Sequence, residues 1–173
     1  MTSWTLGKAD TMKTLLLLRH AKSDWDDASL RDFDRPLAPR GKRDAPRIGK
    51  ALSKRGPLPD LVISSPAARA RTTIDAVMKA AKLNLEVTFE ESMYGASSAE
   101  LVKLIRSLPG ERSCALLVGH NPGFGDLLSR LTGSDERMPT AALACMEFQM
   151  DHWEDVEDGK GRLVWLLTPK QLD

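Results

Sequence analysis

Histidine and arginine side chains follow three short apolar runs of this sequence. Arg19 and His20 come directly after TLLLL, Arg69 lies shortly after LVIS, and His120 follows CALLV with one glycine between. An imidazole nitrogen can attack phosphorus and carry the phosphoryl group covalently, which divides one difficult displacement into two easier ones. Guanidinium groups bind phosphate oxygens in pairs and stabilise their charge in the transition state. These residue types predict a site for phosphoryl chemistry.

The three runs belong to a regular alternation of strand-like and helix-like segments. Strand composition is found at 14–18, 61–64, 85–89, 114–118, 142–150 and 161–168, and helical spacing at 38–56, 65–82, 97–108 and 122–133. This alternation predicts an α/β fold, a three-layer α/β/α sandwich with a mostly parallel sheet. The short acidic turn between the last two strands predicts an antiparallel C-terminal edge. Ligands of such sheets bind beyond the carboxyl ends of the strands, where the histidines and arginines fall.

Composition limits the class of protein. With 173 residues, 42% hydrophobic and 28% charged, the chain is typical of one globular domain. Cys114 and Cys145 lie in apolar stretches, where we expect buried thiols rather than a disulfide or metal ligands. The longest apolar run is much shorter than the roughly 20 residues of a membrane span, and the N-terminus lacks the features of a signal peptide. We therefore expect a cytoplasmic protein that does not insert in a membrane.

The near-zero net charge conceals an uneven distribution. Residues 1–80 carry 16 Lys or Arg and 9 Asp or Glu, whereas residues 81–173 carry 9 and 15. A basic half favours an anionic ligand, although folding can interleave the two halves and cancel the field. Nucleic acid is a weaker candidate, because acids interrupt the basic residues and aromatic residues make up only 5%. We expect no nucleic-acid partner.

Three motifs resemble those of the histidine phosphatase superfamily, also called the phosphoglycerate mutase-like superfamily. They are LLLLRHAKSDW at 15–25, SSPAARARTT at 64–73 and VGHNPG at 118–123. The first resembles the RHG-type signature, with Ala21 where glycine is more usual. The resemblance implies a phosphoglycerate mutase-like fold.

Further features are most similar to the SixA-like phosphohistidine phosphatases within that superfamily. These are the segment DFDRPLAPRG at 32–41, the HNPG form of the third motif and the short chain. The resemblance extends from Lys13 to about Leu167. It implies one catalytic domain over residues 13–173, preceded by an N-terminal extension over residues 1–12.

The resemblance also implies roles for individual residues. His20 matches the nucleophile that becomes phosphorylated. The phosphate pocket that it implies consists of Arg19, Arg69 and His120, with Ser23 and Asn121 as further lining residues. No metal and no cofactor are expected, since His20 and His120 come without a carboxylate–cysteine cluster of ligand spacing.

A general acid is the residue for which the sequence leaves alternatives open. Superfamily members that cleave esters use a carboxylate after the third strand, because an alkoxide is a poor leaving group. Glu90 and Glu91 occupy that place, with Glu91 preferred. SixA-like members tend to lack a dedicated acid, so these residues can equally be two exposed glutamates.

The length between the third and fourth strands bears on the substrate. The segment between these strands is about as long as one helix, which leaves little room for the insertions that cover the pocket in mutases. An open pocket favours a phosphohistidine on a partner protein, such as a phosphotransfer domain or a phosphotransferase-system component. We therefore expect a metal-independent phosphohistidine phosphatase. The alternatives are a phosphomonoesterase acting on a small phosphate ester and a non-catalytic phosphate or phosphoprotein binder.

Overall fold

One mixed six-stranded sheet forms the centre of the molecule. The computed structural model describes residues 11–173. The strands are β1 (Met12–Arg19), β2 (Leu61–Ser64), β3 (Val87–Phe89), β4 (Cys114–Gly119), β5 (Leu143–Gln149) and β6 (Arg162–Leu167), in the spatial order β3-β2-β4-β1-β5-β6. The first four strands pair in parallel, and β5 and β6 join antiparallel at one edge. The predicted sheet is confirmed, including its C-terminal hairpin.

Helices cover both faces of the sheet. They are α1 (Pro39–Arg55), α2 (Ala68–Ala81), α3 (Ser98–Arg106) and α4 (Gly123–Thr132). Alternate residues of β1 point to opposite faces: Leu15 and Leu17 pack with α3 and α4, whereas Leu16 and Leu18 pack with α1 and α2. The central strands β1, β2 and β4 are therefore buried on both sides, which explains why they read as continuous apolar runs.

Strand register brings the ends of three strands together. Leu18 of β1 and Ser64 of β2 are both aligned with Val118 of β4. Because the three strands are parallel, the residues that follow them leave the same edge of the sheet. The amide of His20 donates to the carbonyl of Gly119 at 3.0 Å, which extends the pairing one residue beyond β1.

The start of α2 differs from the prediction. The helical spacing over 65–82 predicts a start at Ser65, but the helix begins at Ala68 after an Ala67 cap that makes no side-chain hydrogen bond. The hydroxyl of Ser65 is instead 2.7 Å from a ring nitrogen of His120. Ser65 therefore hydrogen-bonds to a histidine at the carboxyl edge of the sheet and is not the N-cap residue of α2.

Several smaller expectations can be compared with the structure. Cys114 and Cys145 are buried free thiols, as predicted. No helix within residues 11–173 is long and apolar enough to cross a membrane. Residues 1–10 of the predicted N-terminal extension lie outside the described residues, and its last residue, Met12, pairs with Gln149 in the sheet.

Candidate active site

His20 lies at the carboxyl end of β1 with only 7% of its surface exposed. Its Nδ1 is 2.7 Å from the carbonyl oxygen of Ala21. A carbonyl oxygen can only accept, so Nδ1 carries the proton and the neutral ring presents a lone pair at Nε2. Burial lowers the pKa of His20 to about 4, and the charges of Arg69 and Arg19 also lower it, although the hydrogen bond to Ala21 acts in the opposite direction. His20 is therefore unprotonated at Nε2 near neutral pH.

Arg69 reaches the same nitrogen from the first turn of α2. Its Nε lies 3.4 Å from Nε2 of His20. Its terminal nitrogens bind Asp32, Nη1 to the carbonyl oxygen at 2.7 Å and Nη2 to the carboxylate at 3.0 Å. The guanidinium is thus fixed between the imidazole and this aspartate.

His120 faces His20 across the strand edge, with ring centroids 5.1 Å apart. Its Nε2 lies 2.7 Å from the hydroxyl of Ser65, which also accepts from the amide of Ala67 at 3.3 Å. If the Ser65 hydroxyl donates to Nε2, its own proton has an acceptor; in the reverse direction that proton has none. The hydroxyl is therefore the donor, and the ring proton of His120 lies on Nδ1. Nδ1 is buried and has no hydrogen-bond partner within the described part of the chain. That N–H can donate to an incoming anion.

Burial and neighbouring groups keep His120 neutral. Its pKa is lowered to about 3, first by burial and then by the adjacent His20 and Arg69. A neutral ring can still donate from Nδ1.

Arg19 lies beside the two histidines at the last position of β1. Its Nη1 donates to the carbonyl of Met138 at 3.1 Å. Burial and the nearby charge of Arg69 lower its pKa. Its Nε is buried and has no partner among residues 11–173, as is the case for Nδ1 of His120. Unpaired buried donors are rare in proteins and point to a ligand that the site is built to receive.

Asn121 and Ser23 make other contacts. The Asn121 amide donates to the carbonyl of Met138 at 3.0 Å and accepts from the amide of Gly125 at 3.1 Å, so it holds the start of α4. The Ser23 hydroxyl accepts from the indole of Trp25 at 3.1 Å. Phosphate binding by these two residues stays a prediction.

Neither carboxylate after β3 makes a described hydrogen bond to His20, Arg69 or His120. Glu91 is exposed in a short 3₁₀ turn (Glu91–Met93). Glu90 accepts from the hydroxyl of Ser92 at 2.8 Å. The side chain from this region that reaches the site is Tyr94, whose ring centroid lies 5.6 Å from that of His120. The role of Glu91 as a general acid stays a prediction.

Asp32 is the site residue that sequence reasoning missed. It lies in a 3₁₀ turn (Asp32–Asp34) between β1 and α1. Its Oδ2 accepts from Nη2 of Arg69 and from the hydroxyl of Tyr94 at 2.7 Å. The hydrogen bond from Tyr94 lowers the pKa of Asp32 most, and Arg69 adds to the effect. The segment 32–41 resembles that of SixA-like proteins, but no periodicity of the sequence places a loop residue such as Asp32 against α2.

The described part of the chain offers no cluster of metal-ligating side chains. Within residues 11–173, no group of three His, Cys, Asp or Glu side chains lies close enough to hold a metal ion. The positive charge of the site comes from Arg19 and Arg69.

Comparison with known proteins places this geometry in a family. Residues 15–100 match the sequence profile of the Histidine phosphatase superfamily (branch 1). A solved structure from Agrobacterium tumefaciens, of a candidate phosphohistidine phosphatase SixA, is 33% identical with a TM-score of 0.78, covering 91% of this chain and 98% of that one. The chain belongs to the histidine phosphatase superfamily. Within it, this histidine phosphatase is SixA-like.

Two further relatives are similar to this chain over most of its length. An uncharacterized chloroplastic protein of Arabidopsis thaliana is 34% identical over 165 residues, 90% of this chain and 75% of the relative. An uncharacterized protein of Mycobacterium tuberculosis is 34% identical over 164 residues, 88% of this chain and 100% of the relative. The family match and the likeness to the SixA structure support the fold and a phosphatase activity, whereas none of these comparisons gives the substrate.

Proposed function

We propose that this chain removes the phosphoryl group from a phosphohistidine on a partner protein through a covalent intermediate at Nε2 of His20. The observation that carries the proposal is the 2.7 Å hydrogen bond from Nδ1 of His20 to Ala21, which leaves Nε2 unprotonated beside Arg69. A buried, neutral imidazole with a fixed tautomer is the form that attacks phosphorus.

In the first step the lone pair of His20 Nε2 forms a bond to phosphorus. The bond from phosphorus to the partner's imidazole nitrogen breaks, and its electron pair stays on that nitrogen, which takes a proton from solvent. Arg19 and Arg69 hold the equatorial oxygens, and the Nδ1–H of His120 donates to one of them. Donors that are already in place stabilise the charge that develops on these oxygens.

In the second step a water oxygen attacks the same phosphorus. The bond to Nε2 of His20 breaks and returns the electron pair to the ring, so that inorganic phosphate leaves and the starting tautomer is restored. The water proton passes to the phosphate or to solvent. The same donors serve both displacements.

The leaving group is the reason to favour phosphohistidine over an ester. An alkoxide needs a proton from a general acid, whereas an imidazole departs more easily. Glu91 is exposed, and the lowered pKa of Asp32 keeps that carboxyl ionised near neutral pH. The likeness to SixA-like proteins supports the same substrate class.

Access to the site fits a side chain presented by another protein. His20 lies at the base with 7% exposure, whereas Tyr94 at the outer side is 38% exposed. The Asp32 side chain beside it is 46% exposed. A phosphotransfer domain or a phosphotransferase-system component in the cytoplasm would present such a phosphohistidine.

A substrate panel tests the proposal. The full chain is assayed with EDTA present on a phosphotransfer domain phosphorylated on histidine and on an alkyl phosphate such as glycerol 3-phosphate, whose alkoxide leaving group needs a proton. We expect faster release of phosphate from the protein substrate. Preference for the ester would make the chain a phosphomonoesterase, binding of phosphate without release would make it a binder, and loss of activity in EDTA would contradict a mechanism based on arginine and histidine alone.

A further inference from the structure

Resting on the proposed function, we propose that Asp32 is a positioning residue for Arg69. Its carbonyl and carboxylate hold the guanidinium so that the Nε–H points at the reacting nitrogen of His20.

The bonds to Arg69 fix the direction of its Nε. Asp32 accepts from Nη1 at 2.7 Å and from Nη2 at 3.0 Å, while Nε lies 3.4 Å from Nε2 of His20. A guanidinium is planar, with its five N–H bonds in a rigid fork. Two bonds at the far end of the plane therefore determine where the third N–H points. They also leave one N–H on each terminal nitrogen for phosphate oxygens.

The carboxylate of Asp32 is itself held by a hydrogen bond from Tyr94 and lies near a second cation, Arg35. The hydroxyl of Tyr94 donates to Oδ2 at 2.7 Å. Arg35 lies on the other side, with its Nε 3.9 Å from Oδ1. These contacts connect the turn after β1, the turn after β3 and α2 around the catalytic histidine.

The same contacts also fit an opposite role, in which Asp32 competes with phosphate for Arg69. The experiment must distinguish this competition from positioning. Asp32 occupies both terminal nitrogens of Arg69, which a phosphate group also binds in other proteins. A competing carboxylate would weaken phosphate binding, and its removal would help the protein. A positioning carboxylate would raise the rate of phosphoryl transfer, because that rate depends on a fixed geometry of the reacting groups.

Asp32→Ala is compared with Asp34→Ala, a change in the same turn. Asp34 forms an exposed pair with Arg31 at 2.8 Å and makes none of the described contacts to Arg69. The first measurement is the single-turnover rate of phosphate transfer to His20 from the phosphorylated phosphotransfer domain. The second is the affinity for inorganic phosphate. The third is hydrogen exchange of the Arg69 Nε–H, followed by ¹⁵N NMR.

Positioning predicts a fall of about tenfold or more in the transfer rate of Asp32→Ala, with a smaller change in phosphate affinity. It also predicts faster exchange of the Arg69 Nε–H, whereas Asp34→Ala stays within about twofold of wild type. Tyr94→Phe keeps the charge of Asp32 but releases its carboxylate, so it should lower the rate in the same direction by a smaller factor. This second variant decides the matter if Asp32→Ala does not fold.

An unchanged or increased transfer rate in Asp32→Ala, with tighter phosphate binding, would overturn the proposal. Failure of the proposed function gives a different result, because wild type would then transfer no phosphoryl group at all. In that case the NMR exchange measurement still decides: faster exchange in Asp32→Ala alone supports positioning, and equal exchange in both variants contradicts it.

Discussion

The ring of His20 donates its Nδ1–H to the carbonyl oxygen of Ala21 across 2.7 Å. Ala21 is fixed in turn by α2, because its amide donates to the hydroxyl of Thr73 at 3.0 Å. The tautomer of the His20 imidazole therefore depends on how the segment after β1 is anchored to the neighbouring helix.

Loss of the Thr73 hydroxyl should destabilise this anchor. Thr73→Val keeps the shape but leaves the buried Ala21 N–H unpaired, so we expect the free energy of unfolding to fall by about 1–3 kcal/mol in urea titrations. Thr72→Val is the matched control, since both hydroxyls donate to the carbonyl four residues earlier but Thr72 is exposed. Equal effects of the two changes would show that the anchor contributes nothing.

Loss of the Ser65 hydroxyl should disturb His120 without touching His20. Ser65→Ala removes the partner at 2.7 Å from Nε2, so the ring can adopt the other tautomer. We expect kcat to fall about tenfold, the equivalent of about 1.4 kcal/mol, and the ¹⁵N shifts of His120 to show mixed tautomers. Ser64→Ala is the control, because that buried hydroxyl donates to the carbonyl of Ser65. A normal kcat in Ser65→Ala would contradict the donor role of His120 Nδ1.

The pH dependence should follow the lowered pKa of His20. The attacking form is neutral, and burial lowers the pKa to about 4 from an ordinary value of 6.5. The rate of His20 phosphorylation by para-nitrophenyl phosphate should therefore not decline between pH 8 and pH 6 through ionisation of His20. It should decline as the pH approaches 4. An NMR titration of the ring with a midpoint near 6.5 would contradict this account.

Glu91 distinguishes the two phosphatase hypotheses. Its side chain is exposed, so Glu91→Gln should change the turnover of phosphohistidine protein by less than about twofold. A steep loss of hydrolysis of an alkyl phosphate such as glycerol 3-phosphate in the same variant, with weak activity on phosphohistidine, would instead favour a phosphomonoesterase in which Glu91 donates the proton.

The sequence was sufficient to predict that His20, Arg69 and His120 converge. Each lies shortly after a buried apolar run, and parallel strands deliver the residues that follow them to one edge. The end of α4 was also predictable from local pattern. The sequence predicts that the helix ends at Gly133, and Gly133 caps it with a φ of 74°. These features depend on local pattern and on the topology of parallel sheets.

Contacts made by loops could not be predicted in the same way. Asp32 and Tyr94 are 62 residues apart, and their hydrogen bond depends on how two irregular turns close over the sheet edge. Helical spacing begins at Ser65 in the sequence, whereas in the structure the Ser65 hydroxyl hydrogen-bonds to the buried imidazole of His120 and the helix begins three residues later. Tertiary hydrogen bonding determined these positions.

Trapping the phosphorylated protein tests the central claim most directly. The full chain is mixed with a phosphotransfer domain carrying phosphohistidine, quenched in alkali within one turnover, and analysed by mass spectrometry and ³¹P NMR. His152→Ala, which alters an exposed histidine, is the control for His20→Ala. We predict one acid-labile phosphoryl group at Nε2 of His20 in wild type and in His152→Ala. In His20→Ala we predict none, with turnover reduced roughly 10³-fold or more. A phosphoryl group on another residue, or substantial turnover by His20→Ala, would contradict the account.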